Sequence, residues 1–103
     1  MSFRFASSTK PVVVKVFATW CGACKNTKPH YEAVAAELGD KFVFAEADVD
    51  QFENKAELKA PGVPTFIVYK AGANIYKKGA ELGRSVGGNN AAGIKAELKR
   101  ITQ

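Results

Sequence analysis

Apolar residues crowd into Val12-Val13-Val14-Lys15-Val16-Phe17-Ala18, a β-branched and nearly unbroken run that opens after Pro11. It predicts a central strand buried on both faces, with Lys15 as its one anomaly. From Gly22 to Leu38 the period changes. Tyr31, Val34, Ala35 and Leu38 fall on one face at helical spacing, Gly39 follows as the C-cap, and Pro29 inside the segment predicts a kink. Phe42 to Val49 returns to alternation, with Phe42, Phe44, Glu46 and Asp48 on one side and Val43, Ala45, Ala47 and Val49 on the other. A strand, helix, strand order over this distance predicts a parallel pair.

Residues 51–60 read as a short helix, with Phe52, Ala56 and Leu58 as its buried positions, and Pro61-Gly62-Val63-Pro64 breaks it. Thr65 to Tyr69 is another strand. A further strand ends near Val86, and a last helix runs from about Ala91 to Ile101 with Ile94, Leu98 and Ile101 inward. Between them, Tyr69-Lys70-Ala71-Gly72-Ala73-Asn74-Ile75 is followed at once by Tyr76-Lys77-Lys78-Gly79-Ala80-Glu81-Leu82, with five of seven positions identical or aliphatic for aliphatic. An odd-length duplication reverses the face of every later residue unless the strand slips, so a bulge or an irregular loop is expected there.

At 103 residues and 47% apolar the chain is read as one domain, residues 11–103, behind a short N-terminal segment, residues 1–10. The class is α/β: a central mixed four-stranded sheet in the order βαβαββα, flanked by helices. No apolar run approaches the ~18 residues of a membrane span. The net charge of +5 is scattered, without an aromatic-interleaved basic stripe, so acidic protein partners are favoured over nucleic acid. A Ser-rich N-terminus with Arg4 and no acid before Glu32 is compatible with a mitochondrial targeting remnant. The reading otherwise is cytoplasmic.

The candidate chemistry lies in Trp20-Cys21-Gly22-Ala23-Cys24-Lys25, which holds both cysteines and the single tryptophan. Two cysteines make no disulfide framework; a close pair suits a reducing compartment in which the thiols cycle. Cys21 stands where a strand gives way to a helix. There the unpaired N–H groups and the macrodipole favour an anion, so a thiol ionises near neutral pH. Redox and metal readings both remain open at this point. A site using Cys21, Cys24 and His30 offers three ligands where a closed zinc site wants four, which disfavours metal and leaves His30 as a surface residue.

From Pro11 onward the chain carries, in order, Phe17-Ala18-Thr19-Trp20-Cys21-Gly22-Ala23-Cys24-Lys25, Pro29, Asp48-Val49-Asp50, Gly62-Val63-Pro64-Thr65, Tyr69-Lys70-Ala71-Gly72 and Val86-Gly87-Gly88. On these residues it resembles the thioredoxin family. The resemblance implies a protein disulfide oxidoreductase without a bound cofactor. Cys21 attacks a disulfide of a partner protein and Cys24 resolves the mixed disulfide. It implies that Pro64 is cis, and that Trp20, Gly22, Ala23, Val63, Pro64, Val86 and Gly87 meet the substrate. A thioredoxin reductase, with NADPH upstream, would supply the electrons.

Three departures from the family pattern matter. Ala23 replaces the usual proline between the cysteines, at a dipeptide that tunes the dithiol potential, so an oxidase or isomerase is an alternative to a reductase. The family's buried aspartate, six residues before the first cysteine, falls on Lys15, and its lysine partner falls on Glu46. In one reading this charge-swapped pair is catalytic, with Glu46 as base and Lys15 favouring thiolate at Cys24; in the other Lys15 snorkels to solvent. The ten residues before Pro11 are too few for the family's first strand and helix, so a minimal fold is expected whose strand at residues 42–49 is an open edge. That edge would take Phe3-Arg4-Phe5 or a second chain, giving a monomer or a weak dimer. A non-catalytic adaptor is the remaining alternative, disfavoured by the intact cysteine pair.

Overall fold

In the computed structural model, which describes residues 10–50, 62–71, 81–87 and 90–102, the apolar run after Pro11 forms strand β1 (Val12–Phe17). On one side it pairs in parallel with β2 (Val43–Asp48), and on the other antiparallel with β3 (Thr65–Tyr69). Strand β4 (Glu81–Val86) pairs antiparallel with β3, so the sheet order is β2-β1-β3-β4. Helix α1 (Gly22–Leu38) carries the chain from β1 to β2, as a parallel pair requires, and α2 (Ala91–Thr102) follows β4. This is the mixed four-stranded sheet expected. The helix read at residues 51–60, the N-terminal stub with Phe3 and Phe5, the middle of the duplication (residues 72–80) and Gly88 lie outside the described residues.

Burial explains why β1 is the centre. Val12, Val13, Val14 and Val16 have no exposed surface, and alternation sends them to two separate cores. Val13 joins Tyr31 and Val34 of α1, Phe66 and Val68 of β3, and Ile94 and Leu98 of α2. Val12, Val14 and Val16 join Ala47, Ile67 and Tyr69 on the other face. Each fully buried aliphatic side chain contributes about 1.5–3 kcal/mol, and a one-residue slip would exchange both cores at once, so the register is strongly held.

For α1 the predicted buried face and C-cap are both met, the cap with a difference of cause. Tyr31 and Val34 are buried, and Ala35 and Leu38 half-buried, on the predicted face. Pro29 lies within the helix on its exposed side. Gly39 is the C-cap, but in a right-handed conformation with φ −62° and ψ −17°. Glycine is needed there because a Cβ would come within 2.9 Å of the Ala35 carbonyl oxygen. In the last hairpin Val68 faces Gly83 while Tyr69 faces Glu81. Leu82 is therefore an extra residue on β4, and the expected slip falls at the end of the duplicated stretch.

Lys15 remains inside the fold. Its side chain projects from β1 to the α1 side of the sheet and the residue is 1% exposed. The ammonium donates to the Cys24 carbonyl at 3.4 Å and lies 5.5 Å from the Tyr31 ring centre and 5.8 Å from that of Phe17. Two aromatic faces and one carbonyl thus replace part of its hydration. Desolvation nevertheless lowers its pKa below the usual 10.5; the negative charge of Glu46, its register partner on β2, works the other way, and Lys28 adds to the lowering. The Tyr31 hydroxyl sits between the two strands that carry this pair, 2.7 Å from the Ala45 carbonyl and 3.2 Å from that of Val13. Its ring packs against Phe44 and Phe66 with centroids 5.6 Å away in each case.

Two outcomes follow from these contacts. Tyr31→Phe keeps the ring packing but leaves the Ala45 carbonyl without its donor, so urea unfolding is expected to show a loss of about 1 kcal/mol; an unchanged midpoint would remove the hydroxyl from the stability of the β1–β2 pair. A base whose pKa falls on folding binds fewer protons folded than unfolded between its folded-state pKa and 10.5. Stability should therefore rise with pH across that window, the cost of the buried charge being complete below it and relieved above it. Lys15→Met should remove that rise, as read from unfolding midpoints of both proteins over the alkaline range.

Candidate active site

The Trp20–Lys25 stretch adopts a turn that hands β1 to α1. The Cys21 N–H donates to the Ala18 carbonyl at 3.1 Å, and Cys21 then caps the helix in an extended conformation, φ −88° and ψ 112°. Its sulfur takes the place of the usual capping oxygen, accepting the Cys24 N–H at 3.1 Å. Cys21 and Cys24 are joined as a disulfide with their Cα atoms 5.3 Å apart, inside the range such a bond requires. Both are buried, Cys21 at 7% exposed and Cys24 at 3%, so the first cysteine is the more exposed of the two. An N–H aimed at a sulfur on a helix N-terminus stabilises that sulfur as a thiolate once the bond is reduced.

A second segment completes the site from across the sheet. The Val63–Pro64 peptide is cis, and the Val63 carbonyl oxygen lies 3.6 Å from Cys21 Sγ. Pro64 is buried, its carbonyl accepting the Gly87 N–H at 2.8 Å. The Thr65 hydroxyl donates to the Gly62 carbonyl at 2.6 Å. Gly87 has φ 101°, a conformation that disfavours any side chain, which is how the end of β4 turns towards this loop. Cys21, Val63, Pro64 and Gly87, read separately from the sequence, are thereby linked by direct contacts.

Around them the surface is apolar and open. Trp20 is 69% exposed and Val86 56%, while Val63 and Gly87 are half-buried and Gly22 and Ala23 exposed. The Trp20 indole is nevertheless held, its Nε1–H donating to Asp50 Oδ2 at 2.9 Å. Asp50 is fixed in turn by its own N–H donating to Asp48 Oδ1 at 3.0 Å. The role of Asp50 was not legible beforehand, because the contact spans 30 residues and a carboxylate after a strand reads as a loop residue.

On the far side of Cys24 lies a cavity of about 270 Å³ whose lining includes Lys15, Phe17, Cys24, Lys25, Lys28 and Glu46. Lys15 and Glu46 stand opposite each other across β1 and β2 and share this cavity with the second cysteine. Among the described residues no ion pair closes between them; the ammonium is directed to the Cys24 carbonyl. Phe17 and Tyr31, read as plain core, are the rings that flank the ammonium. His30 is exposed on α1, and among the described residues no three His, Cys, Asp or Glu side chains converge as metal ligands.

Comparison with known proteins agrees with this geometry. The thioredoxin family model matches residues 3–100. A thioredoxin of Mycolicibacterium smegmatis is 39% identical over 94 residues, 88% of this chain and 78% of that protein. A bifunctional thioredoxin reductase/thioredoxin of Mycobacterium leprae is 33% identical over 96 residues, 92% of this chain and 19% of that protein. Among solved structures, Fasciola hepatica thioredoxin superposes with a TM-score of 0.74 at 34% identity, covering 90% of this chain and 82% of that one. With the family matched over nearly its whole length and the cysteine pair closed at the start of α1, this chain belongs to the thioredoxin family of thiol–disulfide oxidoreductases.

Proposed function

We propose that the protein reduces disulfides in partner proteins. The observation that carries this reading is the Cys21–Cys24 disulfide at the α1 N-terminus, beside the exposed Trp20 and Val86 and the Val63 carbonyl. In the reduced protein the Cys21 thiolate attacks one sulfur of the partner disulfide. A mixed disulfide forms and the partner's other sulfur leaves as thiolate. Cys24, once deprotonated, attacks Cys21 Sγ, releasing the second partner thiolate and closing Cys21–Cys24. An extended substrate segment would lie along Val63 and Pro64, with Trp20, Gly22, Ala23, Val86 and Gly87 as its apolar walls.

Electrons return through a thioredoxin reductase with NADPH upstream, a partner supported by the fusion of the two activities in the M. leprae relative. A dithiol that must be regenerated in this way suits the cytoplasm. Among the described residues no helix is long and apolar enough to cross a membrane. Within the exchange, Glu46 takes the Cys24 proton through the shared cavity and Lys15 stabilises the resulting thiolate; their common lining with Cys24 supports both roles. The same buried cation favours a second reading. By stabilising the reduced dithiol it would make the protein more oxidising, in the direction of an oxidase or isomerase.

Turnover of insulin disulfides with a reductase should vanish in Cys21→Ser, whereas Cys24→Ser should accumulate the mixed disulfide detectable by intact mass. Activity retained in Cys21→Ser would overturn the mechanism. Equilibration with glutathione decides direction, since a potential well above that of reducing thioredoxins, about −270 mV, would favour the second reading. Glu46→Gln should slow the resolving step and move the rising limb of the pH–rate profile to higher pH, because Cys24 must then ionise unaided; an unchanged profile would remove Glu46 from proton transfer.

A further inference from the structure

The cavity behind Cys24 shares no lining residue with the apolar docking surface, and its lining is charged. Three lysines meet there: Lys15 buried at its floor, and Lys25 and Lys28 one helical turn apart on α1. Glu46 is the one carboxylate among its lining residues, so the local balance is two positive charges. The Lys15 ammonium has three N–H donors and, among the described residues, one hydrogen bond, the 3.4 Å contact to the Cys24 carbonyl. Thr19 also lines the cavity. The volume of about 270 Å³ is several times the ~30 Å³ that a water molecule occupies in the liquid, enough for a small polyatomic anion.

We propose that this cavity binds a small oxyanion, of the phosphate or short carboxylate class, between Lys15, Lys25 and Lys28, and that it does so more tightly in the oxidised protein than in the reduced one. A buried ammonium forms charge-assisted hydrogen bonds that exposed lysines alone do not sustain, since its charge is weakly screened. Glu46 opposes the ligand and limits its affinity. Reduction leaves a thiolate on Cys21, the disulfide partner of the Cys24 that lines the site, and its negative charge repels the anion. By reciprocity, a bound anion biases the dithiol towards the disulfide. Binding to the oxidised form stands on the cavity alone; only the redox dependence rests on the exchange chemistry proposed above.

The test is a titration of the ¹⁵N-labelled oxidised protein with inorganic phosphate at ionic strength held constant with KCl, repeated with acetate. Saturable shifts are expected at the amides of Thr19, Cys24, Lys25 and Lys28. Affinity should fall roughly ten-fold in Lys15→Met and rise in Glu46→Gln, the loss or gain of one charge-assisted contact being of that order. The reduced protein should bind about five-fold more weakly. Should Lys15→Met fail to fold, Lys28→Gln carries the same expectation of weakened binding. Shifts that do not saturate, that chloride reproduces, or that persist unchanged in the folded lysine variants would overturn the site. Equal affinity of oxidised and reduced protein would overturn the coupling. The insulin assay in phosphate-free buffer tests disulfide exchange separately, so failure of one is distinguishable from failure of the other.

Discussion

The Cys24 N–H directed at the Cys21 sulfur is the contact around which this structure is arranged. It is a helix-capping interaction in which sulfur stands where oxygen usually does, and it links folding to chemistry in one bond. The first turn of α1 forms only if Cys21 remains extended, and that same conformation brings the two sulfurs within bonding reach. Everything that holds the start of α1 in place therefore also holds the dithiol. The Ala18 carbonyl fixes the turn before it, and Tyr31 and Val34 anchor the helix against β1 two and three turns later.

The second constraint is the charge inside the sheet. A lysine in a central strand is costly unless its ammonium finds partners, and the fold supplies a carbonyl, two aromatic faces and a carboxylate in register. Those partners come from β1, α1 and β2, so the environment of Lys15 is a property of the whole half-sheet. Tyr31 binds that half together, its ring against the ammonium and its hydroxyl against backbone carbonyls of both strands. The consequence is an electropositive cavity at the second cysteine, where the wider family carries a buried acid. Two sides of one disulfide thus differ in character: Cys21 meets an apolar surface and Cys24 a charged cavity.

Most of the architecture was legible because the apolar pattern is redundant. Val12 to Val16 fill both faces of a strand, the residues from Tyr31 to Leu38 repeat at helical spacing, and Phe42 to Val49 alternate, so each element is specified by several residues at once. The slip at Leu82 was legible for a similar reason, since a duplication of odd length conflicts with a period of two. The cause of glycine at position 39 was not, because it depends on the distance to the Ala35 carbonyl and not on a backbone angle.

For the site, the order of residues along the chain determined the chemistry: two cysteines at the start of a helix, a Val-Pro step before a strand, and a lysine and a glutamate at matching places in two strands. What tertiary structure alone decided is which of these touch. The Val63 carbonyl reaches Cys21 across 42 residues, Asp50 holds Trp20 across 30, and the Lys15 ammonium turns to the Cys24 carbonyl instead of closing on Glu46. Such contacts are set by sheet register and helix placement, which sum many weak burial terms over the whole chain. A side chain's identity states what bond it is able to make, and only the packed fold states which partner lies within its reach.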